Sequence, residues 1–102
     1  MANNLTGNPI YIDTASATPL ATQRFDVLKI RWVSVAAVAG NQAVIQHQSG
    51  LPAWESCAVG ANYIDSDAWE KDNPLVLSGL LVPTLQGGGA IYIYIHNRKI
   101  PA

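Results

Sequence analysis

The sequence predicts an all-β domain, and three observations support this prediction. Short runs of β-branched and aromatic residues recur at spacings of roughly ten residues. Glycine, proline and serine separate these runs and mark turns. The segment Ile91–His96 alternates isoleucine with tyrosine, so that the two residue types lie on opposite faces of a strand. A length of 102 residues fits one domain with one modest core.

The N-terminal region predicts a polar arm followed by an edge strand. Residues Met1 to Asn8 are polar and contain glycine, which fits either a frayed terminus or an arm that orders on a neighbouring subunit. Pro9–Asp13 predicts an edge strand, because Pro9 cannot donate a ladder hydrogen bond. We therefore divide the chain into an N-terminal arm, residues 1–8, and a single β-sandwich domain, residues 9–102.

Three further strands are predicted in the first half of the domain. The second strand runs from about Val27 to Val35, and alternation gives it one apolar and one basic face. A third strand at 43–48, a turn at 48–52 and a returning strand at 53–58 follow from Ser-Gly and Pro punctuation. The predicted faces of the second strand are Leu28, Ile30 and Trp32 on one side, and Lys29 and Arg31 on the other.

The second half predicts an antiparallel pair at the C-terminus. Leu75–Leu85 is apolar, and its Gly79 and Pro83 predict a bulge, a bend or an edge position. The glycines at 87–89 predict a turn that leads into the Ile91–His96 strand. The segment Tyr63–Asn73 is the least regular and fits a long loop or a single helical turn. Strands at these spacings fit a β-sandwich or a barrel.

Composition excludes several classes of function. The net charge is −1, with six basic and seven acidic residues, which argues against nucleic-acid binding. No apolar stretch is long enough to span a membrane, and the N-terminus lacks the features of a signal peptide. Cys57 is the only cysteine, so an intrachain disulfide is excluded and a reducing compartment is expected. Only 13% of residues are charged while 49% are apolar, which indicates that a partner or another copy covers part of the surface.

Two groups of polar residues are candidates for chemistry. The acidic residues between 65 and 72 lack the glycine and the offsets of a calcium loop, and a glycosidase pair needs a deeper cleft than so small a core can frame. His47, His96 and Cys57 lack a short ligand pair for zinc, so we expect two half-exposed histidines and a small buried thiol. We predict no catalytic residue, no metal site and no cofactor. The acidic residues are Asp65, Asp67, Glu70 and Asp72.

Six blocks of sequence carry a resemblance to a known group of proteins. Together they resemble small tailed-phage proteins of similar length, in the style of jelly-roll capsid decoration, or cement, proteins. The resemblance covers nearly the whole chain, and no block is a catalytic signature. The blocks are Asn3–Pro9, Ile30–Val33, Trp54–Ser56, Gly60–Tyr63, Gly79–Leu85 and Ile91–Tyr94.

The resemblance implies a structural role and a location on the outer capsid surface of a virion, after synthesis in the host cytoplasm. It implies a jelly-roll-like antiparallel β-sandwich, a homo-oligomer with a trimer favoured, the major capsid protein as partner, and no enzymatic activity. It implies that the protein bridges major capsid subunits against internal DNA pressure. Leu5 could anchor the arm in a neighbour's groove, and tyrosines are enriched at interfaces. The candidate interface residues are Asn3, Asn4, Leu5, Asn8, Tyr92 and Tyr94.

Two alternatives stay open. A carbohydrate- or receptor-binding module of a head fibre or tail would use an exposed aromatic with polar neighbours, such as Trp69 with Asp67 and Asn73. A small metal-dependent enzyme would use His47 and His96.

Overall fold

The computed structural model describes residues 3–5, 9–70, 72–87 and 89–96. Over these ranges the regular structure is entirely β, which confirms the predicted fold class. No helix that could cross a membrane occurs in the described residues. The strands are β1 (Ile10–Ile12), β2 (Ala21–Ser34), β3 (Gln42–Gln46), β4 (Pro52–Cys57), β5 (Tyr63–Ala68), β6 (Leu75–Leu85) and β7 (Ala90–Ile95).

The seven strands form one open antiparallel sheet. The order is β1-β7-β2-β6-β3-β4, and β5 pairs with β2 outside this path. β1 lies at one edge, as predicted from Pro9. The finer assignment to the jelly-roll topology stays a prediction.

β2 is the longest strand and organises the sheet. Its second half pairs with β7 on one side and with β5 on the other, and its first half pairs with β6. β5 and β6 therefore run one after the other along β2, from Tyr63 opposite Ser34 to Leu80 opposite Ala21. The sequence predicts that this strand begins near Val27, which is six residues too late. The polar residues 22–24 do not show the alternation of apolar and polar residues that marks a strand.

A bulge in β2 changes which residues point into the core. The ladder with β7 shifts register between Val27 and Lys29. Val27 is fully buried and Leu28 is half-buried, while Ile30 and Trp32 are fully buried as predicted. The extra residue thus places Val27, rather than Leu28, in line with the inward-facing side chains that follow.

β6 changes partner at its middle, beside Gly79, where the sequence predicts a bulge, a bend or an edge position. It pairs with β2 up to Leu80 and with β3 from Leu81 onward. Gly79 lies at the change with a φ of +81°, a conformation that side chains disfavour. A Cβ at this position would lie 2.6 Å from the Cβ of Gln48. Glycine is therefore required where β6 changes partner.

The predicted C-terminal pairing is wrong, because β2 lies between β6 and β7. The glycine-rich turn does connect the two strands, but it packs on the end of β2 instead of closing a hairpin. The buried Ser34 hydroxyl donates a hydrogen bond of 3.0 Å to the carbonyl oxygen of Gly87. A Cβ at Gly89 would collide with the Val33 carbonyl oxygen. Close packing on β2 thus explains the glycines better than hairpin geometry does.

One hydrophobic core joins both halves of the sheet. Side chains from β1, β2 and β7 pack in the same cluster as side chains from β3, β4 and β6. The sheet therefore curls so that its two halves enclose a common interior. The largest fully buried side chains in the described chain are Trp32, Ile10, Ile12, Ile30, Ile45, Leu77, Leu80, Ile91 and Ile93.

We predict that Gly79→Ala destabilises the protein by about 1–3 kcal/mol, because it adds both backbone strain and a steric clash. Gly60→Ala is the matched control, since Gly60 has open space around it and no positive φ, and we expect a change within about 0.5 kcal/mol. Urea unfolding of the three proteins measures the difference. Equal stability of the two variants would contradict the assigned role of Gly79.

Candidate functional site: an apolar loop end and a tyrosine face

The loop after β2 and the loop after β4 meet at one end of the molecule. The amide of Gly40 donates to the carbonyl of Ala58 at 2.9 Å, and the amide of Asn62 donates to the carbonyl of Val35 at 3.0 Å. These bonds tie the two loops together, so this end has a defined shape.

This end carries an unusual share of the exposed aliphatic side chains. The side chains of Val35, Val38, Val59 and Ile64, which we call the apolar end, are between 56% and 81% exposed. In the described part of the chain only Leu51 and Val76 are comparable, and they lie elsewhere. Concentrated exposed apolar surface is typical of protein interaction sites. The sequence pattern did not predict an interaction surface at these residues.

A shallow groove of about 390 Å³ connects the apolar end to the outer face of the sheet. Val33 and Val35 contribute apolar side chains to its lining, and Tyr11, Asp13 and Tyr92 contribute polar groups. The groove is open to solvent. It therefore extends the exposed surface without forming an enzyme-like pocket.

The outer face of the sheet carries aromatic and basic side chains, which we call the tyrosine face: Tyr11, Tyr92, Tyr94, Lys29 and Arg31. The strand register places Tyr92 between Tyr11 and Arg31, and Tyr94 beside Lys29. The Tyr11 and Tyr92 rings meet edge to face at 5.4 Å, and the Lys29 Nζ lies 5.8 Å from the centre of the Tyr94 ring. The isoleucines and tyrosines of β7 therefore lie on opposite faces of the strand, as predicted, and Ile91 and Ile93 are buried.

The pKa of the Tyr11 phenol is raised by its surroundings. Partial burial, the nearby Asp13 carboxylate and Tyr92, and a hydrogen bond with Asp13 all raise the pKa of the Tyr11 phenol above its ordinary value. The phenol at the groove is thus a neutral hydrogen-bonding group at physiological pH.

The described part of the predicted arm lies against its own domain. Asn4 exchanges two backbone hydrogen bonds with Tyr11, and the Asn3 side chain accepts hydrogen bonds from the amides of Asp13 and Thr14. Leu5 packs against the core. Asn8 lies outside the described residues. An interface role for these residues stays a prediction.

The first part of the segment predicted as a loop or a helical turn, Tyr63–Ala68, is strand β5. Asp65 and Asp67 lie on β5 and are paired with Trp32 and Ile30 of β2. The Ser56 hydroxyl donates to Asp65 at 2.5 Å, and the indole N–H of Trp54 donates to Asp67 at 2.7 Å. These two bonds join β4 to β5, between which no backbone pairing is described. The aspartates therefore act as structural acceptors.

One buried donor near the β4–β5 seam, by which we mean the Ser56–Asp65 and Trp54–Asp67 bonds, has no acceptor among the described residues. The indole N–H of Trp32 is fully buried and unpaired, although its ring packs edge to face on Tyr63 at 5.4 Å. An unpaired buried donor costs stability, on the order of 1–3 kcal/mol.

His47, His96 and Cys57, the candidates for metal or thiol chemistry, do not form a site together in the described structure. The Nδ1 atom of half-buried His47 accepts a hydrogen bond of 2.9 Å from the amide of Ser78, and His96 is also half-buried. Cys57 is exposed, so the prediction of a buried thiol is wrong; its position at the end of β4 points it away from the core. Within the described ranges no three His, Cys, Asp or Glu side chains are grouped to hold a metal ion.

Comparisons with known protein families, with curated proteins and with solved structures gave no match to this chain.

We predict that Asp65→Ala destabilises the fold by about 1–3 kcal/mol, because the buried Ser56 hydroxyl loses its charged acceptor and keeps only the Tyr63 hydroxyl at 3.5 Å. Asp72→Ala removes an exposed carboxylate and is the matched control, with an expected change within about 0.5 kcal/mol. Urea unfolding compares the two. If Asp65→Ala is as stable as the control, the seam does not contribute to folding.

Proposed function

We propose that this chain is a structural protein of a tailed-phage virion that binds the outer head surface and bridges neighbouring major capsid subunits. The sequence resemblance supplies the virion assignment, the capsid partner and the favoured trimer. The observation that carries the docking mode is the concentration of exposed aliphatic side chains at the apolar end. In this proposal the protein acts by binding, without a catalytic group or a cofactor.

The chemistry of the apolar end favours contact with another protein. The loop segments 35–41 and 58–62 contain no charged residue, so docking there removes no ion from water. Complete burial of an exposed valine or isoleucine contributes about 1.5–3 kcal/mol, so several such side chains supply a useful affinity. The hydrogen bonds between the loops limit the conformational entropy lost on binding.

The groove extends this proposed contact toward the tyrosine face. Val35 belongs to both the apolar end and the groove, and Tyr92 lines the groove from the other side. Tyrosines are enriched at protein interfaces, and Tyr92 is half-buried already, so little side-chain freedom is lost when a partner covers it. We therefore include Tyr92 in the proposed capsid contact.

The carbohydrate-binding alternative gains no specific support. Trp69 is half-buried and packs against the core, so one side of its ring is already covered. Asp67 accepts the indole hydrogen bond of Trp54. Both groups thus have structural roles that compete with stacking and hydrogen bonding to a sugar.

We predict that the double variant Val38→Ser and Val59→Ser binds phage heads at least about tenfold more weakly than the wild type, because it removes exposed apolar area at the docking surface. The measurement is co-sedimentation with heads of the phage that encodes the chain, stripped of this protein. Unfolding curves should be unchanged, since both side chains are more than 60% exposed.

Leu51→Ser is the matched control, since Leu51 is 65% exposed but lies in the turn before β4. It should bind heads like the wild type. Equal binding by the double variant and the wild type would refute docking through the apolar end. Failure of the wild type itself to bind the heads would refute the virion assignment.

A further inference from the structure

The strand register shows that the tyrosine face and the apolar end form one continuous surface. Neighbouring residues on β7, β2 and β5 make three rows across the outer face of the sheet. The third row includes Ile64, which belongs to the apolar end, and Val33, which lines the groove. A partner that docks on the apolar end therefore meets the tyrosine face next. The rows, from β7 to β5, are Tyr94, Lys29 and Ala68; then Tyr92, Arg31 and Ser66; then Ala90, Val33 and Ile64.

Lys29 and Arg31, which we call the basic pair, have no ionic partner in the part of the chain that the structure describes. All seven Asp and Glu side chains of the sequence lie within that part, and none is in ion-pair distance of either residue. Asp65 and Asp67 accept hydrogen bonds from β4 on the other side of the sheet. Glu70 follows the end of β5 that pairs with Lys29, and it forms no ion pair with Lys29 either. These carboxylates therefore leave both positive charges open to an external carboxylate.

The basic pair lies in a setting suited to protein contact. Lys29 is exposed and its Nζ stands over the Tyr94 ring, and Arg31 is half-buried beside Tyr92. Tyrosine and arginine are enriched among the residues that dominate binding energy, and lysine stems cover apolar surface while the charge stays outside. A partner with carboxylates at the matching positions complements this face in charge.

The apolar end is too small to form a stable contact alone. A standard protein interface takes about 20–30 residues on each side. The loop segments 35–41 and 58–62 supply seven and five residues. The basic pair lies close by, because Val33 and Lys29 are separated by about 13 Å along β2 at roughly 3.3 Å per residue. With the nine residues of the three rows, the contact reaches the lower end of the standard range.

We propose that the tyrosine face is the second part of the capsid contact, and that the capsid surface covering it is acidic. In this arrangement carboxylates of the capsid protein pair with Lys29 and Arg31, and the tyrosine rings pack beside them. The inference rests on the proposed function, because it names the chemistry of the same partner. It adds a property that an apolar contact lacks, since binding weakens when salt screens the charges.

The first test is co-sedimentation with stripped phage heads at roughly 0.01 M and 0.15 M ionic strength, where the Debye lengths are about 30 Å and 8 Å. We expect the wild type to bind more weakly at the higher ionic strength. Lys29→Gln with Arg31→Gln removes both charges and should bind at least about tenfold more weakly at low salt, with a smaller salt dependence. Lys29→Gln alone changes an exposed side chain, so it should unfold like the wild type and bind at least about threefold more weakly.

Gln48→Glu with Ser49→Glu is the matched control, because it lowers the net charge by two, as the double glutamine variant does. Both residues are exposed in the turn between β3 and β4. The control should bind like the wild type at both ionic strengths. Wild-type affinity and salt dependence in both glutamine variants would overturn the acidic-partner inference alone, since the wild type still binds. Heads that do not bind the wild type overturn the proposed function as well.

A second test identifies the partner group directly. A water-soluble carbodiimide activates a carboxylate, and the Lys29 amine then forms an amide with it while the carbodiimide leaves as a urea. On fully bound protein, we expect mass spectrometry to find Lys29 joined to an aspartate or glutamate of the major capsid protein. Lys29→Arg keeps the positive charge but lacks the amine, so this cross-link should disappear. Cross-links from other amines of the chain, with none from Lys29, would overturn the inference.

Discussion

The pairing of β2 along its whole length is the constraint on which the rest of the structure depends. β7 pairs with Val27–Val33 on one side of this strand, and β5 and β6 share the other side in succession. β5 occupies the second half of β2, so β6 pairs only with the first half. β6 leaves β2 after Leu80 because Leu80 lies opposite Ala21, where β2 begins, and Gly79 lies at this change of partner. β3 then pairs with the far half of β6, and β4 pairs with β3. Because β5, β6 and β7 all pair with β2, the two halves of the sheet are held around a single core.

Polar side chains connect β4 and β5, between which no backbone pairing is described. β4 and β5 are joined by Ser56 with Asp65 and by Trp54 with Asp67, so carboxylates replace ladder hydrogen bonds at this seam. A buried hydroxyl with a charged acceptor is favourable, whereas the same group without a partner is costly. This use of aspartate explains why the acidic residues of β5 need not bind a metal or a substrate.

Local sequence patterns predicted the strands whose two faces differ in polarity. The identity of β5 and the neighbours of β6 depend on contacts between residues far apart in sequence, which local patterns do not reveal. The alternation in β7 correctly separated Ile91 and Ile93 from the tyrosines. β5 was missed because its inward positions are aspartates, which look like a loop until Trp54 and Ser56 are placed beside them. The neighbours of β6 could not be predicted, since adjacency in sequence favoured β7 while the structure inserts β2. The apolar end had a visible signal, the uncharged loop segments at 35–41 and 58–62, but only the fold brings them together.

The central claim is that the protein docks through the apolar end, and Cys57 offers a direct measurement of it. This thiol is exposed and directly precedes the loop that carries Val59. Its rate of alkylation can be compared for the protein in solution and for the protein bound to phage heads, with mass spectrometry as the readout. Docking through the apolar end predicts that bound protein is alkylated much more slowly than protein in solution, because the partner covers the thiol. An unchanged alkylation rate on fully bound protein would contradict the claim.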